Sequence, residues 1–64
     1  MELTLSDEEA RVLRDLLADY LPQLRMEVAR TEVIDMRHQL AERREVCERL
    51  LGLLDRVLKA SHLT

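Results

Sequence analysis

Two apolar stripes run along this chain at helical spacing, and they are out of phase with each other. Ala10, Leu13, Leu17, Tyr20 and Leu24 recur three and four positions apart, which at about 100° per residue places them on one face of a helix. Carried past Leu24, the same register lands on Glu27, Thr31, Ile34, His38, Ala41, Glu45, Glu48 and Gly52, most of them polar or charged. A second stripe then opens in another phase, through Met36, Leu40, Arg43, Cys47, Leu50, Leu54 and Val57. One straight helix cannot bury both stripes on one side. An antiparallel two-helix hairpin that turns at the phase break, between Arg30 and Asp35, can.

Local signals agree with that fold class, which is all-α. Ser6-Asp7-Glu8-Glu9 reads as a helix start: Ser6 accepts from the Glu9 backbone N–H while the Glu9 carboxylate reaches back to the N–H of Ser6. Leu5 and Ala10 occupy the two staple positions, and Asp7 and Glu8 complement the positive end of the helix dipole. Pro22 removes one hydrogen bond to Ala18, yet the stripe passes through it in phase and Pro22 lies nearly opposite the stripe. A continuous helix bent around its core side is the expectation. The spacing predicts helix 1 over about 7-30, a turn over about 31-34 with Thr31 and Asp35 as candidate caps, and helix 2 over about 35-60.

In antiparallel packing, facing residues have position numbers with a roughly constant sum. Val28 is expected to meet Met36, Leu24 to meet Leu40, Leu17 to meet Cys47, Leu13 to meet Leu50 or Leu51, and Ala10 to meet Leu54. Apolar faces apolar in every layer but one. Arg43 points into the second stripe opposite Tyr20 and Leu21. Either its stem packs while the guanidinium reaches water, or it forms a polar layer with Tyr20, Glu27 or a carboxylate of a second chain that fixes register.

With 64 residues the chain is one domain, and a core of this size supplies about 3–5 kcal/mol. Small chains add disulfides, metals or oligomerisation. Cys47 is the single cysteine, which removes an internal disulfide and a cysteine-based zinc site and leaves oligomerisation. The apolar arcs are also wider than a two-helix seam, running on helix 1 from Leu16 to Leu21 and on helix 2 from Val46 and Leu53 round to Leu51 and Leu58. An apolar trough along the hairpin is expected to pack against a second copy, giving a homodimeric four-helix bundle. The interface candidates are Leu13, Leu16, Leu17, Tyr20 and Leu24 on helix 1, and Leu40, Arg43, Val46, Cys47, Leu50, Leu53, Leu54 and Val57 on helix 2.

Other classes of partner are not expected. The formal net charge is −3 and no basic stripe exists, which argues against nucleic acid and anionic membranes. No apolar run approaches the roughly 20 residues of a membrane span. The opening residues lack the pattern of a signal peptide, and the lone thiol points to the cytoplasm. Asp35 and His38 have the spacing of a carboxylate–histidine metal pair, but His38 projects away from the second stripe. His38 and Cys47 fall on opposite sides of one helix, and His62 lies in a tail over 60–64 expected to fray. Arg43-Arg44 is flanked by Glu42 and Glu45, which disqualifies it as a phosphate site. Asp7/Arg11, Arg44/Glu48, Glu45/Arg49 and Asp55/Lys59 read as surface i,i+4 pairs. No cofactor, metal or catalytic residue is expected.

Through Leu24-Arg25-Met26-Glu27-Val28-Ala29-Arg30-Thr31, then Met36-Arg37, Leu40 and Arg43-Arg44-Glu45, the chain resembles a set of short uncharacterised bacterial proteins predicted to be helical hairpins. Leu5-Ser6-Asp7-Glu8-Glu9-Ala10 fits the same set, whereas Glu32-Val33-Ile34 replaces its polar turn. The resemblance implies a hairpin and no activity. The functional expectation is a non-enzymatic, self-associating helical module. The alternative is a small antitoxin-like regulator or adaptor that binds a partner protein through the trough.

Overall fold

The computed structural model describes residues 1–62, with side chains for residues 1–60. Two antiparallel helices, α1 (Asp7–Arg30) and α2 (Ile34–His62), pack along their length as a hairpin. α2 therefore starts at Ile34 and continues into the tail expected to fray, while Leu63 and Thr64 lie outside the described residues.

The start of α1 is set by atoms within four residues of one another. The Glu9 N–H donates to Ser6 Oγ at 3.1 Å and the Ser6 N–H donates to Glu9 Oε1 at 2.9 Å, so both halves of the capping box are made. Leu5 is half-buried and Ala10 buried, as a staple requires. α1 runs through Pro22 without interruption. Pro22 and Ala18 are both exposed, so water can reach the carbonyl that lost its donor.

Thr31 closes α1 rather than opening α2. Its N–H donates to the Glu27 carbonyl at 3.0 Å and its hydroxyl donates to the same oxygen. Asp35 falls inside the first turn of α2, where its carboxylate faces the positive end of the dipole. Arg37 Nε donates across the turn to the Val28 carbonyl at 3.4 Å, covering one of the carbonyls that the end of α1 leaves without a helical partner.

The buried residues are Ala10, Leu17, Leu21, Leu24, Cys47 and Leu58, and Leu24 is closed off completely. Leu13, Tyr20, Leu40, Leu51 and Leu54 pack half-buried against the central four, Leu17, Leu21, Leu24 and Cys47. Beside a half-buried Ala41, the inward residues of α2 are thus Leu40, Arg44, Cys47, Leu51, Leu54 and Leu58, at alternating spacings of four and three. That corrects the expected stripe. Its spine of Leu40, Cys47 and Leu54 holds, but the flank turned inward is Arg44, Leu51 and Leu58, whereas Arg43, Leu50 and Val57 face outward. Met36 is also exposed, so the expected Val28–Met36 layer does not close.

The helix pair is one layer thick. Its extents are 47 × 24 × 15 Å, the last little more than one helix diameter of about 10–12 Å. The radius of gyration is 14.1 Å, against about 11 Å for a compact chain of this length.

Candidate functional site

The two open sides of this slab differ in chemistry. Arg14 and Arg25 of α1 are joined to α2 along one side, Arg14 Nε to Asp55 Oδ1 at 3.9 Å and Arg25 to Glu48 Oε1 at 3.5 Å. Arg44 reaches the same Glu48 at 3.7 Å, an i,i+4 pair expected from the sequence, and Arg14 also meets Asp15 at 3.1 Å. These side chains are between 33% and 67% exposed, so each pair contributes at most about 1 kcal/mol. Their value here is geometric, because they fix which helix flanks share a side.

In an antiparallel pair, flanks displaced from the seam in the same rotational sense lie on the same side. Arg14 and Arg25 are displaced one way from the α1 seam, and Glu48 and Asp55 the same way on α2. Displaced the other way are Val12, Leu16 and Tyr20 on α1, and Arg43, Val46, Leu50, Leu53 and Val57 on α2. Tyr20 and Arg43 fall on these flanks, and the Tyr20 hydroxyl, with Glu27 adding attraction, raises the Arg43 guanidinium above the usual arginine value.

That second side is apolar through its middle and toward the open end of the hairpin. Leu16 and Val57 are each 60% exposed, and Val12, Leu53, Val46 and Leu50 remain between 40% and 53% exposed. Together they offer on the order of 500 Å² of aliphatic surface, the upper range for the largest apolar patch of a monomer. The whole chain exposes 5479 Å², while the scaling for compact monomers gives about 4,200 Å² at this mass. The extended residues before Ser6 supply part of that excess, and the apolar face supplies another part.

The structure divides the interface candidates into two groups. Leu17, Leu24 and Cys47 are buried inside the hairpin, and Leu13, Tyr20, Leu40 and Leu54 pack half-buried around them. Leu16, Arg43, Val46, Leu50, Leu53 and Val57 are exposed together on one side. Val12, 53% exposed beside Leu16, belongs with them and went unrecognised in the sequence, where its i+4 relation to Leu16 was the available signal. A smaller apolar set, Met26, Val33, Ile34 and Met36, is exposed at the turn end.

Among the described residues, the reactive side chains do not converge. His38 and Asp35 are exposed near the start of α2, while Cys47 is buried in the core. Among the described residues, no group of three or more potential ligands could hold a metal, and no helix is long and apolar enough to cross a membrane. No protein-family model matches the chain, and neither does any curated protein or solved structure.

Proposed function

We propose that this chain is a non-enzymatic self-association module, in which two copies lay their apolar faces together as a four-helix bundle. The observation that carries this reading is the sidedness of the hairpin. The ion pairs that link the two helices lie on one side, and the exposed aliphatic surface lies on the other, where nothing in the chain covers it. A contact of about 800 Å² per partner is ordinary for a stable dimer. The aliphatic patch supplies the centre of such a contact, and Tyr20, Leu13 and the charged rims extend it. A second layer of helices would also give each helix a second neighbour, as in other four-helix bundles.

Sedimentation equilibrium of the full chain from submicromolar to hundred-micromolar concentration tests the reading. The expected result is a two-species fit, with twice the chain mass dominating at the upper end. A folded chain that sediments at the single-chain mass throughout refutes it.

A further inference from the structure

The rims of the apolar face are charged, and their signs reverse along the hairpin. Along the outer edge of that side, α1 carries Glu8 near the open end, Asp19 at its midpoint and Arg30 beside the turn, in line with Val12. Beyond Leu50 and Val57, α2 carries Arg56 and Arg49 in its open-end half, then Glu42 and Asp35 toward the turn. All of these side chains are exposed. Read from the same end, one rim is acidic then basic and the other basic then acidic.

Two-fold symmetry offers two ways to lay these faces together. An axis along the hairpin keeps both turns at one end and sets α1 of each copy against α2 of the other. An axis across the hairpin sends the turns to opposite ends and sets α1 on α1 and α2 on α2. The first overlays the two apolar patches whatever the register. It also places Asp19 by the second copy's Arg49, Glu8 by its Arg56 and Arg30 by its Asp35. The second arrangement, centred on the off-centre apolar patch, brings Glu8 toward the second copy's Asp19 and Arg49 toward its Arg56. Sliding it to relieve that repulsion moves the apolar patches off one another.

We infer that the occupant of the apolar face is a second copy docked with its turn at the same end, the charged rims setting that orientation. The inference rests on the self-association reading above.

Asp19→Arg and Arg49→Glu test it in the full chain at low salt, with helix content by circular dichroism as the folding control. Alone, each reversal puts two like-charge contacts into the dimer, and self-association is expected to weaken about tenfold. Mixed in equal amounts, the two variants restore opposite charge at both contacts, and a heterodimer of wild-type affinity is expected. The crossed arrangement predicts the opposite, because Asp19→Arg would then face Glu8 and Arg49→Glu would face Arg56. Single variants that associate more tightly than wild type, or no differently from it, overturn the orientation while leaving self-association standing. A wild-type chain that stays monomeric removes self-association itself, and the orientation with it.

Discussion

Leu16→Ala separates the two roles that leucines play in this chain. In the hairpin Leu16 is 60% exposed, so truncating it removes little that the single chain buries. Surface changes of that kind alter stability by about 0.5 kcal/mol or less. In the proposed dimer the exposed part of the side chain is covered. Burying a leucine fully is worth about 1.5–3 kcal/mol, and a little over half of that surface is at stake, giving roughly 1 kcal/mol per copy. Symmetry counts it twice, so the dimer is expected to lose about 2 kcal/mol, or roughly thirtyfold in dissociation constant. Sedimentation equilibrium reads the dissociation constant, and circular dichroism at the lowest concentration reads the helix content of the single chain. A dissociation constant within threefold of wild type, with helix content unchanged, would refute the argument that this face is covered.

The remaining predictions concern the hairpin itself. Leu24→Ala hollows the one completely closed core position and is expected to cost about 2–5 kcal/mol, most of the stability available to a core this small, with loss of helical signal at room temperature. Gly52→Ala adds a Cβ that meets nothing within 4 Å in the middle of α2, so a gain of about 0.5–1 kcal/mol is expected, seen as a melting point several degrees higher. The hydrogen bond donated by the Ser6 backbone N–H, with the Ser6 hydroxyl beside it, holds the Glu9 carboxyl below its ordinary range, so that contribution is complete above the unfolded glutamate value of about 4.3 and is lost as pH falls through the lower folded value. Melting points from pH 6 to pH 3 check this, and Glu9→Gln should flatten that part of the profile. Arg43→Leu removes the charge that α2 places among the inner residues of the apolar face and is expected to tighten association while broadening the distribution of oligomers, measured by sedimentation velocity. A single sharp dimer peak would show that Arg43 sets no register.

The parts of the fold legible in the sequence are those decided within a few residues or by phase. The capping box needs only Ser6 and Glu9, and both hydrogen bonds are present. The phase break between the stripes required a reversal, and the chain reverses there. The choice of flank on α2 was not legible. Arg43, Leu50 and Val57 share the Leu40–Cys47–Leu54 spine with Arg44, Leu51 and Leu58 at equal spacing, so periodicity does not distinguish them. The distinction comes from across the seam: turning the second set inward brings Glu48 and Asp55 to Arg25 and Arg14, and buries Leu58 in place of the smaller Val57. Thr31 was ambiguous for a similar reason. A hydroxyl at a helix boundary can accept from the N–H groups that follow or donate to the carbonyl four residues back, and the sequence alone does not say which.

The same rotation of α2 decides where the candidate face lies. With Arg44, Leu51 and Leu58 inward, Leu50 and Val57 move to the outer flank, in line with Val46 and Leu53 and on the side that already holds Leu16 and Val12. The hairpin thus closes a narrow seam and leaves a second one open. On the proposed reading, folding and association are then linked by mass action, because a second copy that binds only the folded hairpin stabilises it in proportion to the logarithm of concentration. The linkage distinguishes the two seams. Raising the concentration should restore helix to a chain weakened at Leu24, since its outer face is intact. It should do far less for a chain weakened at Leu16, where the added copies have lost part of what they would bind. Melting curves of both variants over a hundredfold range of concentration measure that difference, and parallel slopes would mean that the outer seam contributes nothing.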